Sequence, residues 1–205
     1  MSTDDIYYTI DNLYRTELKI KASRFISTLN QASSVEDAQS FVHGMAKTYH
    51  DATHHCYAFR IRSSTQPIER FSDAGEPSGT AGPPIMDVLR GNNLLNCVVV
   101  VTRYFGGTKL GKGGLVRAYR DSTREVIRIA RIVQQIDYKP ITLKFNYELT
   151  GQVMRMIQQH HGHVVSSQYD TEVELNINLP KSIVKEFNDQ LIELTSGQIS
   201  IKSCI

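Results

Sequence analysis

The 205-residue chain has no tryptophan and only three cysteines, Cys56, Cys97 and Cys204, with no Cys-x-x-Cys pair among them. An odd number of widely separated thiols argues against a disulfide framework or a zinc knuckle, so no metal site is expected. It fits a reducing compartment, and a cytoplasmic location is expected. Long apolar runs are missing too. The longest, Cys97–Val101, has five residues, whereas a membrane-crossing helix needs about 20; no membrane partner is expected. The opening segment MSTDDIYYTI holds Asp4 and Asp5 and no lysine or arginine, which is not the pattern of a secretory signal. Net charge is small, at +2, and does not by itself imply a nucleic-acid partner. The absence of internal repeats and low-complexity tracts excludes solenoids and linker-rich scaffolds.

What is present is a globular composition, 40% hydrophobic and 21% charged, with length for one or two domains. The charge is unevenly placed. Residues 1–137 carry 17 basic and 14 acidic side chains, and residues 138–205 carry 6 and 7. The stretch from Arg103 to Arg131 carries 8 basic against 2 acidic. A boundary is expected at Gln134–Pro140, because proline pushes the preceding residue out of the helical region. The expected domains are therefore 1–136 and 137–205.

Beyond that boundary the pattern is regular. Ile141, Leu143, Phe145, Tyr147 and Leu149 alternate as a half-buried strand. Val153, Met154, Ile157 and His160 have helical spacing, with Gly162 as the expected cap. Strands at Val164–Tyr169 and Val173–Leu179 follow, then a helix opened by Pro180 and closed by Gly197, then a strand from Ile199. The order β-α-β-β-α-β is the ferredoxin-like split unit.

The N-terminal part predicts an α+β layer. Leu18–Leu29 reads as one strand, and Ser33-x-x-Glu36 as a capping box before a helix. His54–Ile61 alternates as a strand, Pro83–Gly91 suits a short helix, and Cys97–Thr102 is a β-branched run expected at the centre of a sheet. A last helix is expected from Gly113 or Gly114 to about Val133.

Two loops could carry chemistry. The first holds Asp73, Gly75, Glu76, Ser78, Gly79 and Thr80; Glu76–Gly79 suits a type I turn, and a recognition loop is expected in preference to a catalytic one. The second runs Arg103-Tyr104-Phe105-Gly106-Gly107-Thr108-Lys109-Leu110-Gly111-Lys112-Gly113-Gly114, between strand and helix. Glycines let backbone N–H groups converge on an anion, and the helix start adds partial positive charge. Gly106-x-x-x-x-Gly111-Lys112 has Walker A spacing, but Gly113 replaces the magnesium-holding Ser or Thr, so nucleotide hydrolysis is not expected. Downstream, Arg117, Arg120, Arg124, Arg128 and Arg131 form one stripe at helical spacing, opposite Leu115, Tyr119, Val126, Ala130 and Val133. Neither histidine group, His54-His55 or His160-His161-Gly162-His163, reaches a set of four metal ligands.

The run from Phe71 to Pro84 and the run from Arg103 to Tyr119 resemble the YigZ/IMPACT family, as do Lys21-x-Ser23-Arg24-Phe25 and His54-His55-Cys56. The resemblance covers essentially the whole chain. It implies an N-terminal α/β sandwich similar to the second domain of a small-subunit ribosomal protein and to domain four of elongation factor G. The C-terminal ferredoxin-like unit is similar to domain five of that factor. It also implies a role in translation, with a translation-regulating protein as a possible partner. The expected function is a non-catalytic protein, without cofactor, that binds RNA or the ribosome. Phosphates would meet Arg103, Gly106, Gly107, Lys109, Gly111, Lys112, Gly113, Gly114, Arg117, Arg120 and Arg124, with Tyr104 or Phe105 stacking on a base. Two alternatives stay open. One is an enzyme acting on a phosphorylated small molecule, which requires a concavity joining the two loops; the other is a protein-interaction module.

Overall fold

The structure is a computed structural model that describes residues 5–203; Cys204 lies outside them. Two compact units emerge, one of residues 8–134 and one of residues 5–7 with 135–203. Both are α+β. The strand β1 (Ile6–Ile10) pairs with β7 (Ile132–Ile136) in a two-stranded ribbon.

The larger unit is built on five antiparallel strands: β2 (Tyr14–Ile20), β3 (Ser23–Gln31), β4 (His54–Ile61), β5 (Ile68–Ser72) and β6 (Cys97–Tyr104). Their order is β2-β3-β6-β4-β5, which puts the β-branched run of β6 at the centre. Both faces of β6 are covered. Cys97, Val99 and Val101 pack with Phe25, Leu29, Cys56 and Ala58 beneath α2 (Gly82–Gly91) and α3 (Lys112–Ile129). Val98 and Val100 pack with Phe59 and Ala38 of α1 (Val35–Thr48) on the other side. The unit is a helix–sheet–helix sandwich, and uniform apolar character in β6 is what burial on two faces demands.

Several local expectations change. Leu18–Leu29 is not one strand but the hairpin β2–β3, closed by Lys21 and Ala22, with Lys21 left-handed at φ 52°. The helix cap of α1 is Ser34, whose hydroxyl accepts from Asp37 N–H at 3.0 Å, one residue beyond the expected Ser33–Glu36 box. Helix α3 stops at Ile129 because Ala130 turns extended, so Arg131 and Val133 are not helical.

The smaller unit is ferredoxin-like. Strands β8 (Tyr138–Phe145), β9 (His163–Tyr169), β10 (Val173–Pro180) and β11 (Ile199–Ser203) are antiparallel in the order β11-β8-β10-β9. Helices α4 (Thr150–Gln159) and α5 (Val184–Leu194) cover one face, where Leu143, Phe145, Ile157, Leu175, Ile177 and Phe187 are buried. Tyr147–Leu149 leave the expected strand as a single 3-10 turn. Pro140 lies within β8 opposite Asn178 of β10, one residue before Ile141, which pairs with Ser203 of β11. The left-handed residue after α4 is His161 (φ 55°), not Gly162; a Cβ on Gly162 would lie 2.6 Å from Leu179 Cδ2. No helix among the described residues is long and apolar enough to cross a membrane.

Candidate anion site

Strand parity builds the floor of this region. Arg103 continues the series Cys97, Val99, Val101, so its side chain lies on the α2/α3 face of β6. Its cross-strand partners are Phe25 on β3 and His54 on β4. The guanidinium carbon sits 5.4 Å from the ring centroids of both Phe25 and Phe105. A cation placed there requires a counter-charge, and the first loop supplies it. Glu76 Oε1 accepts from Arg103 Nη1 at 2.6 Å and from Tyr119 O–H at 2.8 Å. Both side chains of the pair are buried, 6% and 3% exposed.

The network extends sideways. Tyr119 packs edge-on against Phe25, and Cys56 Sγ lies 3.3 Å from the Tyr119 oxygen and 2.9 Å from the Asp73 carbonyl. Burial drives the Cys56 thiol up to about 12 and raises the Tyr119 phenol as well. Both stay protonated at neutral pH, and a thiol held so is inert. His54 Nδ1 is 2.9 Å from the Ala74 carbonyl, tying β4 to the turn in which Ala74 and Gly75 are both left-handed.

The polar side chains Asp73, Glu76 and Thr80 of the first loop are therefore turned inward. The expected turn at Glu76–Gly79 is replaced by two others, with Glu76 N–H donating to Asp73 O and Thr80 N–H to Pro77 O. The reason is Asp73, whose carboxylate accepts from the N–H groups of Gly79, Ala81 and Gly82 at 2.8–2.9 Å and so caps the start of α2. Burial pushes this carboxyl up, but the amides outweigh it and hold it below the usual aspartate range. Thr80 donates to Pro77 O. Ser78, Gly75 and Gly79 remain on the surface.

The second loop is arranged oppositely. Gly106 is fixed by close approach: a Cβ there would lie 1.8 Å from Ala22 O. Gly107 and Gly111 are left-handed, at φ 85° and 72°, and Gly111 caps α3 with no side-chain hydrogen bond. Among the described residues, no acceptor pairs with the N–H groups from Gly107 to Gly114. No acidic side chain lies in the first turn of α3. That end of an 18-residue helix keeps its unpartnered donors and partial positive charge.

The arginine stripe divides. Among the described residues, no carboxylate pairs with Lys109, Lys112, Arg117 or Arg120, whereas Arg124, Arg128 and Arg131 meet Asp121, Glu125 and Asp11. The two aromatics also divide. Tyr104 donates to Asp51 at 2.7 Å beneath the Arg24 guanidinium. Phe105 is 45% exposed and faces the second loop.

Between the loops lies a cavity of about 400 Å³. Glu76 and Pro77 line it from the first loop, Phe105, Lys109 and Lys112 from the second, over the buried Arg103. It joins the two loops, as the small-molecule alternative required. Arg103 Nε is buried, with no partner among the described residues. Sequence reasoning did not foresee the Glu76–Arg103–Tyr119 network. Two signals pointed to it: an arginine on the buried parity of β6, and a tyrosine hydroxyl on the apolar side of α3.

An α+β sandwich with a basic glycine loop, followed in the chain by a ferredoxin-like unit, is the class these features define. Residues 21–127 match the Impact N-terminal domain, and residues 143–198 match a domain of unknown function, DUF1949. The chain is 34% identical to the IMPACT family member YvyE of Bacillus subtilis, covering 96% of this chain and 90% of that one. It is 35% identical to the IMPACT family member YigZ of Escherichia coli, covering 89% and 90%. A crystal structure described as that of an hypothetical protein superimposes with a TM-score of 0.70 at 31% identity, over 98% of both chains. The chain belongs to the IMPACT family.

Proposed function

We propose that this IMPACT family member is a non-catalytic RNA- or ribosome-binding protein with a translation-related regulatory role, and that it holds phosphates at the start of α3. Family membership supports the regulatory role at most. The observation that carries the binding reading is the coincidence, among the described residues, of unpartnered backbone donors from Gly107 to Gly114 with four cations, Lys109, Lys112, Arg117 and Arg120, that no carboxylate neutralises. Amides at a helix start and unpaired basic side chains are what a phosphate backbone engages without base specificity. The internal hydrogen bonds of Asp73, Glu76 and Thr80 support a framing role for the first loop. The triple variant Lys112→Glu, Arg117→Glu, Arg120→Glu should lose binding to single-stranded RNA and co-sedimentation with ribosomal subunits. Retention of both by a folded triple variant would contradict the reading.

A further inference from the structure

The cavity between the loops has a polar inner end, lined by Glu76 and Arg103, and an apolar side. Among the described residues Arg103 Nε has no acceptor, and it is closed off from solvent on a side chain only 6% exposed. Glu76 Oε1 takes both donors, Arg103 and Tyr119, and among the described residues no donor reaches Oε2. A carboxylate oxygen without a donor at the wall of a cavity is reason to look for a ligand that supplies one. Above them stand the bare amides of the loop with Lys109 and Lys112, and beside them the exposed ring of Phe105 with Leu110 and Leu115. The volume of about 400 Å³ falls in the small-molecule range.

We infer that this cavity binds one nucleotide unit: a phosphate monoester seated on the loop amides and lysines, and a planar base against Phe105. The inference rests on the phosphate-binding reading of the same loop and deepens it. A doubly charged monoester suits several N–H donors and two lysines better than an uncharged group would. An exocyclic amine or ring N–H gives Glu76 Oε2 the donor it lacks. The Arg103–Glu76 pair is neutral as a whole, so it does not repel the phosphate. Two sources present this chemistry, a free mononucleotide and the phosphorylated 5′ end of an RNA strand.

Isothermal titration of the intact protein with adenosine 5′-monophosphate, ribose 5-phosphate and adenosine separates the contributions of phosphate and base. One-to-one binding of the mononucleotide, about tenfold or more tighter than either fragment, is expected. Phe105→Ala and Lys112→Ala should each weaken it, and Phe105→Tyr should restore it; both positions are exposed, and thermal melts check that the variants fold. A 5′-phosphorylated oligoribonucleotide that displaces the mononucleotide, where its 5′-hydroxyl twin does not, identifies the strand end as the source. Failure of both to displace it identifies the free nucleotide. The inference is overturned if the mononucleotide binds no tighter than its fragments, or if Phe105→Ala leaves its affinity unchanged. RNA binding that depends on Arg117 and Arg120 would survive that outcome, whereas mononucleotide binding without any RNA binding would remove the proposed function and keep the cavity.

Discussion

The two ends of the basic segment carry similar sequences and opposite electrostatics. Among the described residues, Lys109, Lys112, Arg117 and Arg120 stand without carboxylate partners beside unpartnered amides. Arg124 and Arg128, one and two turns further on, and Arg131 beyond the helix end each face an aspartate or glutamate. Arg103 is a third case, a buried cation neutralised by Glu76. A count of basic residues thus overstates the charge that a ligand meets. The usable positive potential is concentrated at one helix start, where the backbone adds to it.

The contrast can be broken first at its buried member. Glu76→Ala leaves Arg103 without a counter-charge, and removal of one partner from such a pair costs about 3–5 kcal/mol. Urea denaturation should report a loss of that size, while Glu125→Ala at the exposed far end leaves the midpoint unmoved. A Glu76→Ala midpoint equal to that of the parent would mean Arg103 has another partner. The glycines give the next effect. Gly106→Ala drives a methyl into Ala22 O and should cost about 1–3 kcal/mol, as overpacking does. Gly113, with open space around its Cβ position, should accept alanine with an unchanged melting temperature.

The smallest effect is in acid. Amide donors hold the Asp73 carboxyl below its usual range, so its folded value lies under its unfolded one. The stabilisation it gives is complete above the unfolded value and fades as pH falls through the folded value. Denaturation midpoints followed from neutral pH down to about pH 3 should decline less steeply in Asp73→Asn than in the parent. Parallel declines would show that Asp73 contributes nothing to the acid sensitivity.

The ferredoxin-like unit was legible because alternation in β8 and β10 and helical spacing in α4 and α5 agree with the turn residues between them. The central place of β6 was equally plain from its run of valines. The hairpin at Lys21-Ala22 was not, since neither glycine nor asparagine marks it and a lysine takes the left-handed position. Arginines at helical spacing continue past the point where α3 ends, which hid the break at Ala130. The bare amides followed from the glycine run, but the pairing of Arg103 did not. The partners of Arg124 and Arg128 stand three residues before them on α3 and follow from spacing, whereas the carboxylate that faces Arg103 depends on strand parity and on the loop that Asp73 folds.

The salt dependence of single-stranded RNA binding tests the division of the basic segment most directly. Each phosphate contact contributes about 0.7 to the slope of log affinity against log salt. Arg117→Glu with Arg120→Glu should lower the affinity and flatten the slope by about two contacts' worth, roughly 1.4, while Arg124→Glu with Arg128→Glu changes the slope little. Equal losses in the two double variants, or an unchanged slope in the first, would contradict a phosphate site at the start of α3.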